Sequence, residues 1–194
     1  MFCLKDTNGG LIVEYYKRAL LKDGRVYVLR NGTEDDAPAV LDNFILTHGQ
    51  TDFLLTYPEE MSFTPERERE YLRKKTESGR EVEIVAEIEG NIVGTAGIDA
   101  LGNAEKTRHR ASFGISVDKA YWGYGIGRAL ACACIECAKA AGYTQLELEV
   151  VAENKRAAAL YGSLGFVEFG RNPRGFLSRA SGMQEVILMR LELD

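Results

Sequence analysis

Apolar and polar positions change period several times along the chain, and each change predicts an element. From Val13 to Arg30, apolar and aromatic residues fall in two short runs separated by Lys22-Asp23-Gly24, where glycine can supply a positive φ. The pattern predicts a hairpin, with a helix as the competing reading. Thr33 and Asp35-Asp36 then offer caps for a helix on which Val40, Leu41, Phe44 and Ile45 recur at helical spacing, ending near Gly49. Residues 50–64 are aromatic and irregular, and Pro65 opens a charged helix, Glu66 to Lys75, whose charges read as a solvated face.

The second half alternates more regularly. Val82 to Glu87 and Ile92 to Ala100 flank a Glu89-Gly90-Asn91 turn and predict an antiparallel hairpin that begins the central sheet. Ala111 to Val117 reads as a strand, followed by a glycine-rich turn and a helix from about Gly127 to Ala141 that Gly142 terminates. Gln145 to Val151 sets Leu146, Leu148 and Val150 against Glu147 and Glu149, a half-buried strand. Lys155 to Leu164 is helical with Gly165 as its C-terminal cap, and strands Phe166 to Arg171 and Glu185 to Leu193 close the chain.

Length and composition narrow this without redirecting it. A chain of 194 residues suits one domain with one core. No repeat, low-complexity tract or linker divides it, so residues 1–194 are expected to form a single domain, with 1–24 as an N-terminal extension or hairpin strand. A formal charge of −5 argues against a nucleic-acid binder and suits cationic partners such as amines. The longest wholly apolar run, Ala129 to Ile135, is too short to cross a bilayer, and the first residues lack a secretory pattern, so no membrane association and a cytoplasmic location are expected. Cys132, Cys134 and Cys137 crowd one helical segment. Cys134 and Cys137 share a face there while Cys132 points away, so buried small residues fit better than a metal site, and no metal is expected.

Chemistry concentrates in Tyr121-Trp122-Gly123-Tyr124-Gly125-Ile126-Gly127-Arg128, three glycines at alternate positions between a strand and a helix. Without Cβ atoms, backbone N–H groups can approach an oxyanion closely, and the positive end of the following helix adds attraction. A phosphate or pyrophosphate is the expected ligand; a turn whose glycines serve packing is the alternative. Arg128 opposes the helix dipole unless such an anion lies beside it. Counting from Gly123 or Gly125, the last position of a dinucleotide fingerprint falls on Arg128 or Leu130, and no Gly-Lys-Ser/Thr occurs, so both nucleotide motifs fail.

Val117 to Gly127, followed by Asn154-Lys155-Arg156-Ala157-Ala158-Ala159-Leu160-Tyr161 and Leu164-Gly165-Phe166, resembles the GNAT acetyltransferase superfamily. The first stretch is similar to the family's Gln/Arg-x-x-Gly-x-Gly/Ala loop, with Trp122 in the leading place. The second matches its Asn-x-x-Ala-x-x-Leu-Tyr helix throughout. The resemblance implies an α/β (α+β) fold with a central, mostly antiparallel mixed sheet, one splayed parallel strand pair and about four helices. It implies acetyl-CoA as cosubstrate, with its pantetheine arm beside Val117 and its pyrophosphate on the amides of Trp122, Gly123, Tyr124, Gly125, Gly127 and Arg128. Asn154 would approach the pantetheine, and a homodimer is a family habit.

Under that resemblance the reaction is direct attack of a neutral primary amine, from a small amine, an amino acid or a peptide amino terminus, on the acetyl carbonyl. Tyr161 would act as general acid to the leaving thiolate, its other reading being a core tyrosine on the stripe Ala157, Leu160, Leu164. A backbone N–H near Val117 would meet the oxyanion. For the base, the strand Ala111 to Val117 holds no carboxylate; His109, Glu149 and a water relay are the candidates, and His48 reads as a helix cap. Phe53, Tyr57, Glu59 and Glu60 are candidate walls of an acceptor site, or simply pack their loop onto the sheet. The competing functions are a non-catalytic acyl-CoA sensor, which has no use for Tyr161, and an interaction module.

Overall fold

The computed structural model of the protein describes residues 2–7 and 10–193, with side chains described from residue 12 onward. Three strands open the chain: β1 (Phe2–Thr7), β2 (Gly10–Leu20) and β3 (Val26–Asn31). Helices α1 (Ala37–Gly49) and α2 (Pro65–Glu77) follow, and then β4 (Val82–Ile88), β5 (Asn91–Ala100) and β6 (Arg110–Val117). Helix α3 (Ile126–Ala140), β7 (Gln145–Val151), α4 (Lys155–Ser163), β8 (Val167–Ser178) and β9 (Gly182–Glu192) complete it. The strands form one sheet in the order β1-β2-β3-β4-β5-β6-β7-β9-β8. Every neighbouring pair is antiparallel except β6–β7, which needs a crossover and has α3 as that crossover. The expected mixed sheet with one parallel pair and four α-helices is therefore present among the described residues.

Two layers cover the sheet. Leu130, Ala131, Cys134, Cys137 and Ala138 of α3 are buried against strand residues such as Leu29, Ile84, Ile98 and Leu146. On the opposite face a smaller cluster joins Ala37 and Val40 of α1, Leu72 of α2 and Val85 of β4. The two buried α3 cysteines are thus core residues, and burial pushes the Cys137 thiol up to about 12.

The structure revises four expectations. Val82 does not begin the sheet, because β1, β2 and β3 stand outside β4. Long β2 pairs with β1 along one stretch (Phe2↔Tyr15 to Thr7↔Gly10) and with β3 along the next (Tyr16↔Arg30 to Leu20↔Val26). Ile45 is 49% exposed, since the buried stripe of α1 runs through Ala37, Val40, Leu41 and Thr47 instead.

The charges of α2 are not wholly solvated, because the helix packs on β4, reaches β5 through Lys75 and must bury one face. Glu68 and Lys75 are on that face; Lys75 Nζ donates to Ile98 O (2.8 Å) and pairs with Asp99. Burial raises Glu68 to about 7 and Glu83 of β4 to about 7, the latter despite the opposing attraction of Lys75. Finally, β8 runs well past its expected end at Arg171 and β9 begins before Glu185. β8 continues through Pro173 because it is an edge strand, where a missing N–H costs no ladder bond, and register shifts at Glu168/Gly170 and Asn172/Phe176 absorb the irregularity.

Candidate active site

The parallel pair holds together at one end only. Arg110↔Gln145, Ala111↔Leu146 and Ser112↔Glu147 are in register, and beyond Ser112 the two strands part. Antiparallel pairing on the outer side of each strand decides what the gap offers. Leu101 N–H donates to Arg110 O and Asp118 N–H to Val93 O, so the even-numbered residues of β6 bond to β5. Phe113, Ile115 and Val117 therefore turn their N–H and C=O groups toward the wedge. Ala152 N–H donates to Glu185 O and Leu193 N–H to Thr144 O, so even residues of β7 bond to β9 and Glu149 and Val151 face the wedge with their backbones. A cleft of about 1050 Å³ runs through this gap.

Side chains alternate across the sheet, so the cleft has two unlike sides. Phe113, Leu148 and Val150 point to the side of α3 and α4, where Phe113 meets Tyr161 edge-on (ring centroids 6.1 Å). Ser112, Gly114, Ser116, Glu147 and Glu149 line the other side, with Thr47 of α1 and Phe53, Leu54 and Leu55 of the following loop.

On the first side, Gly123 (φ 89°) and Gly125 (φ 95°) both take the left-handed conformation that glycine adopts without strain, and Gly125 is the N-cap of α3. The first intrahelical bond runs from Ala129 N–H to Gly125 O (3.0 Å), leaving the N–H groups of Ile126, Gly127 and Arg128 without intrahelical acceptors at the positive end of the helix. Gly127 is under less constraint, as a Cβ there would sit 3.6 Å from Leu160 Cδ2, an ordinary contact. Arg128 reaches α4 and donates to Ser163 Oγ (2.6 Å). Arg128, Lys155 and Arg156 line this end of the cleft with Lys119 nearby, and none of the four has an ion-pair partner among the described residues. In a chain of net charge −5, that concentration of unpaired cations at a helix N-terminus makes a site able to hold a polyanionic group.

Trp122 takes a position that sequence reasoning did not foresee. Its indole Nε1–H donates to Val117 O (2.8 Å), and the ring lies between Arg156 (5.1 Å) and Lys119 (5.9 Å). One wedge-facing carbonyl is therefore engaged by the side chain that replaces the expected Gln or Arg. Asn154 is the N-cap of α4, its Oδ1 accepting from Ala157 N–H (3.1 Å). Tyr161 is 8% exposed, packs on Phe113 and Phe166 and lines the cleft, so the core and cleft readings describe the same side chain. Burial pushes its phenol up to about 12, so it holds its proton throughout the neutral range.

On the second side, Glu147 is held by Arg110 (Nη2 to Oε2, 2.8 Å) and by Gln145, and these partners lower its carboxyl. Glu149, one step further into the wedge, is exposed and makes no hydrogen bond or ion pair among the described residues. His109 is not brought here. It precedes β6 at the closed end of the pair, where its carbonyl accepts from Thr144 N–H (3.0 Å), and it borders a separate small depression with Arg80 and Arg108. His48 stacks on Phe44 (3.5 Å), its Nδ1 2.9 Å from Phe44 O, and burial lowers its pKa; it secures the last turn of α1.

Of the loop candidates, Phe53 lines the cleft while Tyr57, Glu59 and Glu60 do not. Tyr57 Oη accepts from Arg179 N–H (2.8 Å), Glu59 pairs with Arg179, and Glu60 accepts from Tyr57 N–H (2.7 Å). These residues tie the loop to the β8–β9 turn. The principal knot is Asp52, whose Oδ2 accepts from Ser178 Oγ (2.6 Å), Ser181 Oγ (3.0 Å) and Gln184 Nε2 (3.1 Å). Gln50 adds a clamp at the other end, donating to Asp118 Oδ1 (2.9 Å) and accepting from Lys119 N–H (2.8 Å). No local pattern marks either residue, because their partners lie far along the chain.

Comparison with known proteins agrees with this geometry. A family model described as "Acetyltransferase (GNAT) family" matches residues 49–166. An uncharacterized N-acetyltransferase of Methanocaldococcus jannaschii is 33% identical over 146 residues, covering 74% of this chain and 62% of that protein. The [ribosomal protein bS18]-alanine N-acetyltransferase of Escherichia coli K12 is 40% identical over 82 residues, 42% of this chain and 55% of the enzyme. Matches to curated relatives thus span 26% to 62% of the relatives' own lengths. Among solved structures, a GNAT-family acetyltransferase from Streptococcus pneumoniae superposes with a TM-score of 0.82 at 28% identity, covering 86% of this chain and 99% of that one.

Proposed function

The chain belongs to the acetyltransferase (GNAT) family, and on that premise we propose that it transfers an acetyl group from acetyl-CoA to a primary amine. The observation that carries the proposal is the junction of two unlike surfaces at one wedge. One side offers free helix N-terminal amides, unpaired cations and outward-turned strand backbone; the other offers a carboxylate facing an open floor.

Acetyl-CoA brings the activated acyl group; the protein supplies position, dipoles and protons. The amides of Trp122 through Arg128, with Arg128 itself, hold the pyrophosphate. The wedge-facing edge of β6 near Val117 holds the pantetheine arm beside Asn154 in strand-like fashion. A Val117-region N–H, fixed by the sheet, meets negative charge developing on the carbonyl oxygen without reorganising, a contribution of the kind that often dominates acyl transfer. Tyr161, kept protonated by burial, gives its phenolic hydrogen to the departing sulfur. Glu149 is the carboxylate placed to receive an incoming ammonium and take its proton directly or through water.

Calorimetry with acetyl-CoA and thiol release across an amine panel test this. Tyr161→Phe is expected to lower kcat by about a hundredfold or more with CoA affinity unchanged. Tight binding with no amine-dependent thiol release would replace the enzyme with a non-catalytic acyl-CoA sensor.

A further inference from the structure

The acceptor side of the cleft has a chemistry of its own. Its floor is small and polar: Ser112, Gly114 and Ser116, where a Cβ on Gly114 would meet nothing within 4 Å. Its walls are apolar, formed by Phe53, Leu54 and Leu55 of the α1–α2 loop, Leu101 after β5, and Phe169, Phe176 and Leu188 of the β8–β9 hairpin. Several of these are open to solvent, with Leu55 75%, Leu101 45% and Phe169 46% exposed. The Asp52 knot presses the loop wall and the hairpin wall toward each other, so the apolar surfaces face one gap and are not scattered over the protein.

Charge on this side is one-signed. Among the described residues, the basic side chains lining the cleft are Arg128, Lys155 and Arg156, all at the α3–α4 end. Of the arginines bordering the acceptor side, Arg110 pairs with Glu147, Arg179 with Glu59, and Arg171 with Glu168 and Glu185; Arg190 lies outside the cleft lining, its Nη2 reaching Glu192 (3.3 Å) and its guanidinium lying over Phe169 (5.8 Å) while its buried Nε has no hydrogen-bond partner. Glu149 remains open. An amine reaching the wedge thus meets a carboxylate, its neighbouring substituent meets aromatic and aliphatic walls, and a carboxylate on the adjacent carbon meets no cation and faces Glu149 instead.

We infer that the acceptor is an amine beside a large apolar group and without a carboxylate on the adjacent carbon, which excludes free amino acids. The inference rests on the acetyl-transfer reading above. The same chemistry is found in a hydrophobic small amine and in a peptide amino terminus with an apolar first residue.

Thiol release from acetyl-CoA with matched acceptors separates these points, with rates expressed per concentration of neutral amine so that differences in acceptor pKa cancel. Phenylalanine amide is expected to exceed phenylalanine in kcat/KM by about tenfold or more, and glycine amide by a similar factor. A blocked tripeptide beginning with phenylalanine identifies the source: a further rise in kcat/KM over phenylalanine amide assigns a peptide, and equality or a fall assigns a small amine. Leu55→Arg, at an exposed site where the fold has nothing to lose, is expected to narrow the amide-to-acid ratio by placing a cation at the rim. Phenylalanine or glycine amide matching phenylalanine amide overturns the inference while leaving acetyl transfer intact, and an unchanged ratio in Leu55→Arg overturns its charge argument. Acetyl-CoA binding with no thiol release to any amine removes both this inference and the reading beneath it.

Discussion

The two sides of the wedge are built by different means. On the α3–α4 side, the groups that matter are mostly backbone: a capping glycine at φ 95°, three free helix amides and the outward edge of β6, all contributed by residues 113–128. On the α1–α2 side, the groups are side chains from the α1–α2 loop, β6, β7 and the β8–β9 hairpin, held together by Asp52 and its distant partners. Backbone chemistry tolerates substitution so long as the chain path survives. A side-chain assembly depends on each tether, so the two sides should respond differently to mutation.

The largest effect is expected where the path itself is changed. Gly125→Ala places a Cβ in left-handed backbone at the cap of α3, costing roughly 1–2 kcal/mol of stability, visible as a lower Tm. Its acetyl-CoA affinity, measured by calorimetry, should fall by about tenfold as the amides tilt. Gly127→Ala, whose Cβ makes only an ordinary contact with Leu160, should keep the Tm of the parent. Equal losses in both variants would break the assignment of the first side to backbone conformation.

Next in size, Asp52→Ala removes the acceptor of three side-chain hydrogen bonds and frees the loop from the hairpin. Acceptor KM should rise by about tenfold while acetyl-CoA affinity is unchanged. A parallel loss of both would show that the two sides are not separable.

A smaller effect concerns Glu68 of α2 and Glu83 of β4. Glu68 and Glu83 are each raised by burial to about 7, above their unfolded values, so the stability they contribute is complete below the unfolded pKa and is lost as pH rises through about 7. Thermal melts should show Tm declining from about pH 5 to pH 7 and levelling above it, and Glu83→Gln should flatten that decline. A profile equally steep in the variant would remove Glu83 as its source.

The smallest effect is expected at Trp122, the chain's single tryptophan. Breaking its 2.8 Å hydrogen bond frees Val117 O, which on the proposed reading receives the pantetheine arm, so Trp122→Phe should tighten CoA binding by a few-fold at most, the net worth of one such bond. The wild-type indole emission should shift on CoA addition, and a silent indole alongside calorimetric binding would show that the ring stays in place.

Much of the first side was legible beforehand because its information is local. Alternate glycines between a strand and a helix state a turn, a cap and an amide cradle within a dozen residues, and Asn154 and Tyr161 are spaced on one short helix. His109 shows the limit of proximity in sequence. It adjoins β6, but at the end where β6 and β7 are still paired, so the splay that makes the site opens at the opposite end. Tyr57, Glu59 and Glu60 have the chemistry of an amine site and are used instead within the loop, Tyr57 and Glu59 fastening it to Arg179 and Glu60 accepting from Tyr57 N–H.

The sequence by itself determined most of the elements, the glycine-rich turn before α3 and the two motifs that carry the family resemblance, since each is set by short-range periodicity, turn stereochemistry or fixed spacing; the parallel pair followed from that resemblance. Only the tertiary structure decided which strand end opens, that α2 buries Glu68 and Lys75, that Trp122 bonds to Val117, and that, among the described residues, the basic side chains lining the cleft all stand at its α3–α4 end. Those outcomes depend on pairing between residues tens of positions apart and on which face of each strand meets a helix. Alternation along a single strand does not encode either.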